Sequence, residues 1–179
     1  MIPSSTRHRG LTIIGIVALA AGCLAGCAPE PEPTPTPTSA FASEEEAFAA
    51  AEEVYRAYNE AGNERLAGNG SPDPQDFLIG TALEGDIEAL RVLDTEGLTL
   101  EGTVDMLAFT GISAELASDA TVTALVCLDA SATRVVDSEG VDVTPASREE
   151  TIAQVVTFTG SMTRLQISAE TAAESDECP

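Results

Sequence analysis

The chain has 179 residues, with eight arginines, no lysine, one histidine and 30 acidic residues, for a net charge of −22. That balance leaves no basic face to neutralise phosphates, and 4% aromatic content without tryptophan leaves no stacking platform, so nucleic-acid binding is excluded on the ordinary physical footing. With 44% hydrophobic residues the chain is long and apolar enough for one packed domain with attachments.

The N-terminal segment reads as an export signal. Residues 1–10 are polar and carry Arg7 and Arg9 around His8, residues 11–21 form an unbroken apolar run, and small residues follow. This is the order of a bacterial secretory signal. The run ends in Leu24, Ala25, Gly26 and Cys27, which resembles the lipobox of bacterial lipoproteins. The resemblance implies removal of residues 1–26 and a diacylglycerol on Cys27, which would hold the chain on the outer face of the cytoplasmic membrane. Two alternatives stay open. Ala20, Ala21, Gly22 and Cys23 make a poorer lipobox without the leucine, and residues 11–28 reach the lower length for an uncleaved membrane anchor. All three put the remainder outside the cytoplasmic membrane. All acidic residues lie at or after Glu30, so the processed chain sets six arginines against 30 acids, a net charge of −24, and keeps neither lysine nor histidine.

Residues 27–40 are the lipid-bearing cysteine and a tether. Proline alternates at 29, 31, 33, 35 and 37, which favours an extended polyproline II spacer and forbids packing. At roughly 3.1 Å per residue such a spacer lifts a domain about 35–40 Å off the membrane. A Pro-rich peptide ligand is the lesser alternative.

The domain spans residues 41–179. Ser43 followed three residues later by Glu46 is a capping box, and Phe48, Ala51, Val54, Tyr55, Tyr58 and Ala61 recur at helical spacing, so a helix is expected to about residue 60 or 65. Pro74 restarts a helix after a Gly/Asn/Ser/Pro loop, Gly85 is expected to break it, and residues 86–96 form another short helix closed by Gly97. The period then falls to two. One strand is expected from Leu98 with Leu100, Gly102, Val104, Met106 and Ala108 inward, and a second over 121–136 with Val122, Ala124, Val126 and Leu128 inward. Residues 141–143 suggest a short strand. Residues 151–159 and 162–171 are two more strands, joined by a hairpin at Gly160 and Ser161. Helices first and strands after mean an α+β domain, with helices on one face of a curved antiparallel sheet of about four strands.

The capped helix with Tyr55 and Tyr58, the Gly97-to-Gly102 strand opening, Cys127 in the next strand and the closing Glu177, Cys178 and Pro179 resemble secreted lipoproteins of high-GC actinobacteria. Their domain is similar to the nuclear-transport-factor-two-like (cystatin-like) cone. The lysine-free, alanine- and arginine-biased composition fits such a genome, and no strand is evident between the helices. The resemblance implies that chemistry, if any, lies in the cone interior, where enzymes similar to ketosteroid isomerase place a carboxylate or histidine opposite a tyrosine or a protonated acid.

On the inward phases the sequence offers little of that kind. The first strand has no inward polar residue before Thr110, the second only Arg134, the third Gln154, and the fourth, with Leu165, Ile167 and Ala169 inward, has no acid. Tyr55, Tyr58 and Gln154 are therefore the candidate pocket residues, and buried groups of this kind are more often satisfied core residues than ligand contacts. No cofactor is implied, and without clustered histidine or cysteine no metal site is either. Residues 137–142 echo a calcium loop but lack the downstream glutamate, so a turn is expected. The acidic excess reads as a solvated surface, or as steering toward cationic partners.

The leading expectation is a non-catalytic module that binds an envelope protein or small ligand. The alternatives are an isomerase- or dehydratase-like enzyme drawing a carboxylate from a loop or helix, such as Asp76 or Asp94, and a structural envelope component. With Cys23 removed and Cys27 lipidated, Cys127 and Cys178 remain as an even pair in an oxidising compartment, so a disulfide is expected across the sheet's outer face.

Overall fold

The computed structural model describes residues 39–178; the signal-like segment, Cys23, Cys27 and most of the tether lie outside them. The domain is α+β. Helix α1 (Glu44–Leu66) and helix α2 (Gly80–Glu96) precede six strands: β1 (Thr99–Glu101), β2 (Asp105–Glu115), β3 (Ala120–Asp129), β4 (Arg134–Val136), β5 (Thr151–Ser161) and β6 (Arg164–Ala173). Strands β2, β3, β5 and β6 form one antiparallel sheet in that order, and β1 pairs with β4 in a small second sheet.

The helix ends follow their local chemistry. The Ser43 hydroxyl accepts from the Glu46 N–H at 3.2 Å, and the Glu46 carboxylate accepts from the Ala42 N–H at 2.7 Å, so two otherwise unpaired donors are satisfied. Gly97 takes the left-handed conformation at the end of α2, with φ 65° and ψ 35°. Gly85, expected to break the helix, lies inside α2. The break falls earlier, at Leu78 and Ile79, where a single 3-10 turn (Pro74–Phe77) ends and Leu78 bridges to Ile167. That bridge, with the Ile79 N–H donating to the Ile167 carbonyl at 2.8 Å, is a tertiary contact that sets where α2 starts.

The strands correct the expected registers. The first expected strand is two, because Gly102 has φ +108° and sits against the Ala132 carbonyl, turning β1 away from β2. The second also divides, and Arg134 pairs with Glu101 at 2.8 Å on the exposed β1–β4 ribbon instead of facing inward. The expected strand at 141–143 is a single bridge from Asp142 to Val136. The hairpin turn falls at Met162 and Thr163, two residues after Gly160, since Ser161 still pairs with Arg164. In β2 the register slips between Met106 and Ala108 and again between Gly111 and Ser113. Each slip is a bulge that reverses which phase faces in. Phe109, Gly111 and Ala114 therefore oppose the inward Val126, Ala124 and Val122, while Ala108 and Thr110, expected inward, face out. The bulged Leu107 and Ile112 are left exposed.

The core lies between α1 and the inner sheet face. Ala47 and Ala51 of α1 and Val122, Ala124, Val126, Val156, Phe158 and Ile167 of the sheet are buried there. On the opposite face Cys127 is bonded to Cys178, with Cα atoms 5.7 Å apart, which pins the C-terminal residues across β5.

Candidate functional site

The apolar face of α1 does not stop at Tyr55 and Tyr58. It continues at the same spacing as Asn59, Gly62, Asn63 and Leu66, and along this stretch helix and sheet part to leave a cavity of about 480 Å³. Tyr55, Tyr58 and Gln154 all line it, so the three residues singled out from the sequence come together. The Tyr55 and Tyr58 rings meet edge to face at 5.5 Å, and Tyr55 backs onto Phe158 at 6.5 Å. Leu90 and Leu93 of α2 close one side and Leu100, Val104 and Leu128 the other. Asn59 and Asn63 both donate to the Val104 carbonyl at 2.9 Å, and Asn63 accepts from the Val104 N–H at 2.8 Å, so the amides fasten the wall.

The fourth strand does supply an inward acid, contrary to the phase read from sequence. The β5–β6 register slips between Thr157 and Phe158, whose partners are Ala169 and Ile167, leaving Ser168 as the extra residue. Ahead of the bulge Leu165 and Ile167 face in. Beyond it Ala169 faces out, and Glu170 opposes the buried Val156 on the inner face. The bulge is held from α2. The Thr81 hydroxyl donates to the Ser168 carbonyl at 3.1 Å, and a Cβ at Gly80 would stand 3.2 Å from the same oxygen. Ser168 itself donates to the Thr157 carbonyl at 3.1 Å.

Glu170 is poorly satisfied. Its Oε2 accepts from the Tyr58 hydroxyl at a long 3.5 Å, and its buried Oε1 has no hydrogen-bond partner among the described residues. Burial pushes the Glu170 carboxyl above the ordinary glutamate range; the Tyr58 hydroxyl opposes this in part and the Asp86 charge adds to it. Tyr58 and Tyr55 are both pushed well above the usual tyrosine value, first by burial and then by Glu170.

Beside this acid stands a satisfied ion pair. Arg65 grips Asp86 with two hydrogen bonds, 2.7 and 3.2 Å, and Gln75 donates to the same carboxylate at 2.9 Å. A looser contact at 3.4 Å ties Arg65 to Asp73 as well. The fork joins the end of α1 to the first turns of α2 and braces the cavity mouth. Of the two carboxylates considered for an enzyme, Asp94 lies on the cavity rim, whereas Asp76 is exposed and lines a different surface groove. No group of three or more metal-ligating side chains occurs among the described residues. Asp137 accepts from the Glu139 and Val141 N–H groups at 2.9 Å each, the turn expected in place of a calcium loop.

Glu170, Asp86 and Arg65 were not among the candidates read from the sequence. The one signal available was the polar continuation of an apolar helix face at positions 59, 62 and 63.

No protein-family model matches the chain, and no curated protein matches it. Among solved structures it is similar to the intermembrane space region of the chloroplast protein ARC6, at 15% identity and a TM-score of 0.47, over 70% of this chain and 95% of that one. At that identity and overlap the likeness says nothing about chemistry.

Proposed function

We propose that the chain is a lipoprotein held outside the cytoplasmic membrane by a diacylglycerol on Cys27, and that its domain binds a small ligand in the cavity without transforming it. One observation carries the binding reading: a cavity of about 480 Å³ with largely apolar walls and a half-buried acid, one of whose oxygens has no hydrogen-bond partner among the described residues. Small-molecule sites typically enclose roughly 300–1,000 Å³ with a few convergent polar groups. One further fact fits the placement: the Cys127–Cys178 bond suits an oxidising compartment.

A second reading, an enzyme of isomerase or dehydratase type, is favoured by the Glu170–Tyr58 pair. A carboxyl lifted by burial is suited to proton transfer, and the tyrosine would stabilise a developing oxyanion. It stands second because it needs a reaction as well as a bound molecule, and the Tyr58–Glu170 contact on which it rests is long, at 3.5 Å.

Gly62 provides the test. It lines the cavity, and a Cβ there meets nothing within 4 Å, so Gly62→Leu is expected to direct its side chain into the space, with an unchanged circular dichroism spectrum as the check that the fold is kept. Native mass spectrometry of the full lipoprotein purified from its own cells is expected to show a retained small-molecule mass that Gly62→Leu loses. Equal retention by both, or none by either, contradicts the binding reading. Turnover of that molecule, abolished in Glu170→Gln, would select the enzyme. Cys27→Ala is expected to remove the acyl mass from the N-terminus; acyl mass that persists contradicts the anchor.

A further inference from the structure

Resting on the reading of the cavity as a ligand site, we propose that its ligand is a small organic cation: an alkyl- or arylammonium whose charged head pairs with Glu170 and whose apolar body lies against Leu90, Leu93 and Leu100.

The cavity is lined by one guanidinium, Arg65, against three carboxylates, Asp86, Asp94 and Glu170. Arg65 is already taken by Asp86 and Asp73. Among the described residues no other cation is free to serve the cavity. The domain contains no lysine or histidine, and each of its remaining arginines is engaged elsewhere. Arg56 pairs with Glu52, Arg91 with Glu88 and Arg134 with Glu101. Arg148 donates to the Ala130 carbonyl and the Thr133 hydroxyl, and Arg164 donates to Gln166. An anionic ligand would meet three carboxylates and no free donor cation. A neutral one gains nothing from the Glu170 charge, which it leaves unpaired or neutralised by its own proton.

The remaining polar groups fit a donor ligand. Besides Glu170, the Gln154 side chain lines the cavity and makes no hydrogen bond among the described residues, so its carbonyl is available to a second ammonium N–H. The Tyr58 ring beside Glu170 offers electron-rich surface to a cation. The charged and titratable groups around Glu170 are Tyr55, Tyr58 and Arg65 of α1 and Asp86 and Asp94 of α2; the sheet adds Gln154 but no charge.

The test uses the full-length lipoprotein in lipid nanodiscs, titrated with benzylammonium, benzyl alcohol and benzoate, and read by methyl NMR shifts at Leu90, Leu93 and Leu100. Benzylammonium is expected to bind at least about tenfold more tightly than benzyl alcohol, the order of effect of a partly desolvated charge pair, and benzoate not at all. Glu170→Gln is expected to erase the preference for the ammonium over benzyl alcohol. Should that variant fail to fold, acidifying the wild-type protein through the Glu170 titration is expected to weaken the ammonium alone. Benzyl alcohol or benzoate binding as tightly as the ammonium, or a preference that survives loss of the Glu170 charge, overturns the inference while leaving the binding reading intact. If none of the three probes moves the cavity methyls, both fall.

Discussion

At its N-terminal end α1 settles closely onto the sheet, and at its C-terminal end it does not. Near the start, Ala47 and Ala51 bring the helix backbone down onto Ala120, Val122 and Ala124, and the Phe48 ring sits directly over Gly111. Two turns later the same face presents Tyr55 and Tyr58, then amides and a glycine, and the facing strands answer with Gln154 and Glu170. Both ends are covered by the same helix and backed by the same strands. The difference lies in residue size and in one bulge: small residues permit close packing, while tyrosines and a turned-in acid hold the layers apart. The filled end supplies the stability that lets the open end keep a poorly satisfied carboxyl.

The comparison breaks most severely at Phe158, which is fully buried and touches both Tyr55 and Phe109. Phe158→Ala is expected to cost about 3–5 kcal/mol in denaturant unfolding, because it opens the filled end from within. On the outer face, replacing both Cys127 and Cys178 by alanine is expected to cost about 2–5 kcal/mol without altering the cavity, since the bond closes a 51-residue separation in the unfolded chain. Gly111→Ala tests the close approach directly. Its Cβ would stand 2.5 Å from the Phe48 ring, so a loss of about 1–3 kcal/mol is expected from overpacking. The same kind of enlargement at the open end has the opposite sign: Gly62→Leu is expected to stabilise by up to about 1 kcal/mol, since an interior helix glycine is replaced and nothing is displaced.

Glu170→Gln should sharpen the contrast through pH. The folded-state value of Glu170 is raised, so the native state holds its proton longer than the unfolded chain does. Its contribution is favourable below the ordinary glutamate pKa and is lost as pH rises through the raised value. The variant is therefore expected to melt above the wild type at neutral pH, with the gap closing under acid. A gap that widens on acidification would contradict the burial of this carboxyl.

Much of the packed end was legible in the sequence, and the decisive feature of the open end was not. The capping box at Ser43, the tyrosine face of α1, the inward phase of β3 and the Cys127–Cys178 bond all follow from local pattern and pairing rules. Glu170 was hidden because alternation assumes an unbroken ladder. The bulge at Ser168 is imposed by Gly80 and Thr81, residues nearly ninety positions earlier, and small Ala169 gives no apolar marker of the face it takes. The same cause misplaced Ala108 and Thr110, since two bulges in β2 reverse the phase between Met106 and Ala114. Gly85 misled for a different reason: a glycine's cost within a helix is modest, and α2 absorbs it.

Glu170 faces the cavity as a half-buried acid that Tyr58 reaches only at 3.5 Å and whose other oxygen has no partner among the described residues. A carbon-detected NMR titration of the Glu170 side-chain carboxyl, in the full-length lipoprotein with and without benzylammonium, measures this directly. The expected result is a midpoint above the ordinary glutamate range in the free protein, which falls when the ammonium is added. A midpoint within the ordinary range that the ammonium leaves unmoved would contradict both the burial of Glu170 and its role as the ligand's counter-charge.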